Sequence, residues 1–386
     1  MTPNPLRDLE QCGQSVWLDS LSRDLIQSGE FARLIQRDGI TGVTANPSIF
    51  EKAIVGTHDY DQSIRDLART GCSPIQIYEH LAIEDVGAAG DLLRASYDRC
   101  TGRDGFASIE VSPDLAHDTE ASIEEARRFW RELNRPNVMV KIPATPEGIP
   151  AIEQLTAEGI NVNITLIFAV EMYEQVMDAY LSGLERRVKQ NRPIEHIASV
   201  ASFFVSRVDV LVDKLLEEQA QGSHETRHKE LKALEGKVAV ANAKIAYEHF
   251  EQVFGQREAG EGRCERFRRL AQQGGQPQRP LWASTSTKNP SYPDTLYVTP
   301  LIGPLTVNTM PLETIDAFRD HGVVDCQAVT QDLGEAHQQI RDLERAGISM
   351  ETVTGELIRD GVEKFCNALH SLLETIEQRQ GSLVRA

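Results

Sequence analysis

Apolar positions along the chain follow two alternating rhythms. Short β-branched runs bounded by polar, Gly or Pro residues predict strands, and apolar residues three and four apart predict amphipathic helices between them. The first run, Ser15-Val-Trp-Leu-Asp19, ends in an acid. The helix after it carries Phe31, Leu34 and Ile35 on one face, with Ser28 as its N-cap and Gly39 as its stop. Gly42-Val-Thr-Ala-Asn-Pro-Ser48 reads as a second strand entering a polar loop, where Pro47 pushes Asn46 toward extended backbone. Helices predicted over 59–69 and 74–100 precede a third strand, 105–113, with Glu110 near its far end. Ser122-Ile-Glu-Glu125 has capping-box form and opens a helix through Asn134. The fourth strand follows at once as Val138-Met-Val-Lys141-Ile-Pro-Ala-Thr145. A helix over 147–158 leads to a fifth strand, 160–168, in which Asn161, Asn163 and Thr165 share one face. That polar face should look into a barrel mouth or at solvent. A helix over 170–189 precedes the sixth strand, 197–205. Residues 281–286 predict the seventh strand and 295–299 the eighth; a Pro/Gly-rich loop, 300–311, then leads to helices over about 331–380.

Eight strands separated by helical stretches predict a single α/β domain over residues 1–386. Its architecture should be a (β/α)8 TIM barrel with additional helices and a C-terminal helical extension. Two polar insertions, about 219–235 and 256–280, interrupt the pattern. The first contains His224-Glu-Thr-Arg-His228, the spacing of a zinc-protease helix. Its wholly polar surround offers no apolar back and no third ligand, so no metal is expected there. No Gly-rich dinucleotide fingerprint or P-loop is present, and no nucleotide cofactor is expected.

Composition narrows the function classes. Apolar content of 40% is ample for a core, yet no apolar run approaches the ~20 residues that span a membrane. The N-terminus lacks a basic region followed by an apolar one, so no secretory signal is expected. A net charge of -18 argues against non-specific nucleic-acid binding but permits an anionic small substrate, since local charge decides that. The six cysteines (Cys12, Cys72, Cys100, Cys264, Cys326 and Cys366) are scattered, with no Cys-x-x-Cys pair. They predict reduced thiols in a cytoplasmic protein, with neither a zinc ribbon nor a disulfide frame.

Chemistry enters at the strand ends. Lys141 lies within an apolar run, where a buried ammonium is costly. As a neutral amine it would form a Schiff base with a ketone, an electron sink for breaking the adjacent C–C bond. The alternative is a strand-end lysine whose ammonium snorkels to water. Registration favours the first. Asp19, Asn46, Glu110, Lys141, Asn163 with Thr165, Ser202, and Ser286 with Lys288 recur at successive strand ends. A barrel gathers such ends around one mouth, and packing alone has no use for an acid, an amide, an acid and a lysine there.

Six stretches carry a resemblance: Val16-Trp-Leu-Asp19, Gly42-Val-Thr-Ala-Asn-Pro-Ser48, Ser108-Ile-Glu-Val111, Val140-Lys-Ile-Pro-Ala-Thr145, Gly159-Ile-Asn-Val-Asn-Ile-Thr-Leu166 and Ala283-Ser-Thr-Ser286. They run in order from about residue 16 to residue 300. On them the chain resembles the transaldolase family, in its long bacterial form. The resemblance implies a barrel related to class I aldolases and a cytoplasmic enzyme of the pentose phosphate pathway. The reaction it implies moves a dihydroxyacetone unit from sedoheptulose 7-phosphate or fructose 6-phosphate to glyceraldehyde 3-phosphate or erythrose 4-phosphate. Neither metal nor organic cofactor is implied. Sugar phosphates are the expected partners, without nucleic acid or membrane; a homodimer is open, since no particular helix face stands out for it.

On the same template Lys141 attacks the ketose carbonyl, and Asp19 is the base whose action cleaves the C–C bond. Glu110 handles protons on a water during carbinolamine dehydration. Asn46 and Asn163 hold the three-carbon enamine, while Thr44, Thr165, Ser202 and Phe204 line the site. Arg207, Ser286 and Lys288 take the phosphate. Three departures stand out: Lys288 where many members have arginine, Phe203 where a proline is frequent, and Ala45 where a threonine is common. Two rivals remain. A fructose 6-phosphate aldolase relative would release dihydroxyacetone, but such relatives carry Gln and Tyr where this chain has Glu110 and Phe204. A silent barrel that only binds would not need a reactive Lys141.

Overall fold

The computed structural model describes residues 4–255 and 263–383. Its eight strands are five or six residues long: β1 Gln14–Leu18, β2 Ile40–Thr44, β3 Phe106–Glu110, β4 Val138–Pro143, β5 Val162–Ile167, β6 Ser199–Phe204, β7 Arg279–Ala283 and β8 Thr306–Met310. Nearly every strand residue is buried, as parallel strands covered by helices must be. Each strand pairs in parallel with the next, and β8 closes on β1 from Gln14↔Thr306 to Leu18↔Met310, which makes a closed barrel in chain order.

Large buried aromatics brace this wall. Trp17 of β1 packs 6.3 Å from the Phe106 ring and donates from Nε1 to Asp104 at 2.9 Å. Residue 42 of β2 must be glycine for this, because a Cβ there would sit 2.4 Å from the Trp17 ring. Trp282 of β7 donates to the Leu301 carbonyl at 2.9 Å and stacks edge-on to Phe203 at 6.2 Å.

The helix Met350–Leu383 packs against the helices after β2 and β6 and against β5, so it crosses the C-terminal ends of the strands. Arg379 donates to the carbonyls of Thr57 and Val55, Gln380 donates to that of Cys72, and His370 pairs with Asp114 at 3.1 Å. These ties hold it across the mouth of the barrel.

Several local expectations need correction. The closing strand is Thr306–Met310, inside the expected loop, and not 295–299, where Thr299–Leu301 is a 3-10 turn. Three of its five residues are polar yet buried, so apolar content did not mark it. The helix Thr119–Leu133 starts a turn earlier than expected, capped by Asp118 rather than through Ser122. Ser28 ends the helix Arg23–Gln27, and Gly29 at φ 77° is the N-cap of the next. The two polar insertions contain helices, Glu225–Lys232 and Arg263–Ala271, while residues 256–262 lie outside the described ones. His224 is the N-cap of the first of these helices, and both it and His228 are exposed. Finally, Cys12 and Cys326 form a disulfide, against the expectation of reduced thiols throughout. Their separation of 314 positions vanishes in space, because the N-terminal helix Pro5–Gln11 packs against the helix Leu312–His321 that precedes Cys326.

Candidate active site

Strand register assembles the central group. Glu110 on β3 lies beside Lys141 on β4, and Lys141 beside Asn163 on β5. Adjacent strands of a barrel point register partners to the same side, so three chemically different side chains sit abreast near the C-terminal strand ends. Lys141 and Glu110 are each only 5% exposed.

Asp19 follows β1, anchored by its own N–H to the Met310 carbonyl at 2.8 Å. Thr44, at the end of β2, donates to Asp19 Oδ1 at 2.7 Å and lies 2.9 Å from the Thr309 hydroxyl. The chain Thr309–Thr44–Asp19 orients one carboxylate oxygen and leaves the other available. Asn46 is the N-cap of the helix Pro47–Val55, with φ -156° and ψ 170°, the extended geometry expected of a residue before proline. Its Oδ1 accepts from the Ile49 N–H at 2.9 Å, which leaves Nδ2 as the donor the side chain offers. Asn163 is held at both ends of its carboxamide: Ser202 donates to Oδ1 at 2.7 Å, and Nδ2 donates to Ser108 at 3.1 Å.

The two acids sit in different surroundings. Burial is the main force raising the Glu110 carboxyl to about 7; Lys141 and Arg207 oppose it, and the Asp19 charge adds to it. Neither Glu110 oxygen has a hydrogen-bond partner among the described residues. Asp19 is half-buried and hydrogen-bonded. A near-neutral acid beside a bonded one is the division of labour that general acid–base chemistry needs.

Arg207, at the start of the helix Ser206–Ala220, is pulled down by burial, with Asp360, Asp19 and Glu110 opposing. Its guanidinium lies 5.1 Å from the Phe204 ring. Ser206 bonds Ser284 twice, through its N–H at 3.0 Å and its hydroxyl at 2.9 Å, which ties the ends of β6 and β7 together. Beyond that tie, Lys288 donates to Ser286 at 2.5 Å; Ser286 is buried and Lys288 exposed. Tyr292 and Tyr297 fasten the same loop to Asp213 and Asp209, at 2.8 and 3.0 Å.

A family model described as Transaldolase/Fructose-6-phosphate aldolase matches residues 16–376. The chain is 46% identical over 378 residues to a protein named Transaldolase from Parafrankia sp., covering 98% of each. It is 47% identical over 380 residues to Transaldolase of Saccharopolyspora erythraea, covering 98% of this chain and 99% of the relative. Transaldolase 2 of Nostoc sp. is 45% identical over 381 residues, with 98% of each covered. The chain belongs to the transaldolase/fructose-6-phosphate aldolase family. It is a transferase, as its transaldolase relatives are.

Against that family background, sequence reasoning passed over some residues. Ser108 and Thr309 are buried hydroxyls that fix Asn163 and Thr44, and Ser108 precedes Glu110 by two, the spacing of a shared strand face. Tyr78, from the helix Pro74–Arg99, is close enough to Glu110 for the carboxylate charge to raise its phenol, after burial. Phe365, from the long C-terminal helix, lies 5.8 Å from Arg207. No sequence signal pointed to it. Of the three polar residues expected on the mouth face of β5, Asn163 is as described and Thr165 is buried with its hydroxyl unpartnered. Asn161 instead stitches strand starts, donating to the carbonyls of Pro136 and Val138 and accepting from the Ala198 N–H.

Proposed function

We propose that Lys141 forms a Schiff base with a phosphorylated ketose and that the chain passes its dihydroxyacetone unit to an aldose phosphate. The observation that carries this is the register Glu110–Lys141–Asn163 with Asp19 held opposite by Thr44. The Lys141 amine adds to the ketose carbonyl, and Glu110 supplies the proton with which the carbinolamine oxygen leaves as water. Asp19 then takes the proton of the hydroxyl two carbons from the iminium carbon, at C4 of the ketose. The C3–C4 bond breaks, its electron pair enters the iminium, and an aldose phosphate departs. Asn163 and the Nδ2 donor of Asn46 hold the enamine that remains, with Thr165, Ser202 and Phe204 as walls. The enamine adds to the acceptor aldehyde, Asp19 returns its proton, and water releases the new ketose from Lys141.

Arg207, Ser286 and Lys288 are the phosphate clamp of this reading; an Arg fork and a Lys point charge both suit a phosphate oxyanion. Sedoheptulose 7-phosphate and fructose 6-phosphate are the donors, with glyceraldehyde 3-phosphate and erythrose 4-phosphate the acceptors. Cytoplasmic residence, a single domain and pairing of two chains belong to the same reading, and light scattering on the purified protein counts the chains. Among the described residues no helix is long and apolar enough to cross a membrane.

Fructose 6-phosphate with and without erythrose 4-phosphate tests transfer against release. Sedoheptulose 7-phosphate should form only when the acceptor is present. Free dihydroxyacetone accumulating without acceptor would make the chain a lyase.

A further inference from the structure

We infer that Phe365, on the C-terminal helix, is a positioning residue that holds the Arg207 guanidinium in the orientation that receives the substrate phosphate. The inference rests on the reading of Arg207 as a phosphate ligand and extends it to an element with no role so far.

The Arg207 guanidinium lies within reach of two rings, Phe204 at 5.1 Å and Phe365 at 5.8 Å. A guanidinium within about 6 Å of a ring centroid is attracted to its face. Phe204 belongs to β6, whereas Phe365 arrives from residues 350–383, so the second ring contact exists only when the helix is in place. Phe365 is buried. Arg207 Nη1 is buried with no hydrogen-bond partner among the described residues. Two rings thus attract the guanidinium while its Nη1 donor is not consumed by the fold. A guanidinium held by ring contacts rather than by hydrogen bonds keeps N–H donors for an oxyanion. Asp360, one turn before Phe365, adds a countercharge that offsets part of the cost of burying this cation.

Close approach of the helix depends on Gly361. A Cβ there would stand 2.9 Å from Leu166 Cδ2 and 3.6 Å from Arg207 Nη1. Leu166 itself sits at φ 61°, where the β5–β6 register is irregular. Farther along, the ties of Arg379, Gln380 and His370 fix the helix across the mouth, so the ring of Phe365 is set by anchors on the connections after β2 and β3.

Steady-state kinetics on the full chain test this, with inorganic phosphate as a competing probe against fructose 6-phosphate. Phe365→Ala should raise KM for fructose 6-phosphate about tenfold, leave kcat within about twofold, and weaken phosphate inhibition by the same factor. Phe365→Tyr, which keeps the ring, should restore both constants. Phe365→Leu, which keeps apolar volume without the ring, should not. If Leu restores them as well as Tyr, or if kcat falls while phosphate inhibition is unmoved, Phe365 only fills space and the inference is overturned. Arg207→Ala separates the two layers. Should it leave phosphate inhibition unchanged, the phosphate reading of Arg207 fails and the inference with it. Should it weaken inhibition while Phe365→Ala does not, the inference alone falls.

Discussion

Replacing Glu110 by glutamine should stabilise the fold in base relative to acid, and the size of the effect follows from the burial of one carboxyl. Glu110 is 5% exposed, and its ordinary value of 4.5 is raised to about 7, first by burial, with Lys141 and Arg207 opposing. The folded chain therefore holds this proton more tightly than the unfolded chain. The stability so gained is complete below the unfolded value of 4.5 and is lost as pH rises through the folded value of about 7. A shift of that size amounts to about 3 kcal/mol in all, of which roughly 2.5 kcal/mol disappears between pH 5 and pH 8. Glutamine keeps the shape and does not titrate. The unfolding free energy of Glu110→Gln minus that of the parent should accordingly rise by about 2.5 kcal/mol from pH 5 to pH 8. Asp209, likewise raised to about 7 by burial, is common to both proteins and cancels in the difference. Urea titrations followed by far-UV circular dichroism at four pH values measure it. A difference that stays flat with pH would refute the reasoning, since Glu110 would then ionise alike in both states and could not serve as an acid near neutrality. The same substitution should lower kcat, because an amide cannot deliver the proton that releases water.

Three further outcomes follow from the site and the fold. Asp19→Asn should lower kcat by 10²–10⁴-fold, about the worth of a positioned general base, while still forming the Schiff base; borohydride should trap the whole ketose phosphate, and trapping of only a three-carbon unit would contradict the base role. Thr44→Val removes the hydroxyl that donates to Asp19 at 2.7 Å and should cost about tenfold in kcat, a typical worth of about 1.4 kcal/mol for a bond to a charged group. An unchanged kcat would remove Thr44 from the site. The Cys12–Cys326 link should appear as two additional alkylatable thiols after reduction of the denatured protein. Its reduction should lower stability by about 2–4 kcal/mol, read as a lower urea midpoint, because it closes almost the whole chain into one loop.

The elements of the candidate site were legible because their signal is local. A lysine in an apolar strand, an Asn-Pro pair at a strand end and an acid near the far end of a strand each declare themselves within a few positions. The alternation of strand and helix then implied a barrel that gathers them. Long-range features left no such mark. The closing strand Thr306–Met310 is polar in composition and is buried only because β1 and β7 flank it. The N-cap at Asp118 wins over Ser122 because Ser122 donates to the Leu115 carbonyl and lies inside the helix. Cys12 and Cys326 meet through the packing of the N-terminal helix Pro5–Gln11 on Leu312–His321, which no spacing rule encodes. Phe365 reaches Arg207 from a helix whose periodicity says that it is amphipathic but not what it covers.

The most direct test of the central claim is intact-mass analysis after borohydride reduction in the presence of fructose 6-phosphate, with the parent chain beside Lys141→Ala. The parent should gain the mass of a reduced dihydroxyacetone adduct, the variant none, and peptide mapping should place the adduct on Lys141. An adduct on both proteins would move the chemistry to another amine. Its absence from both would leave a barrel that holds the right residues and does not use them.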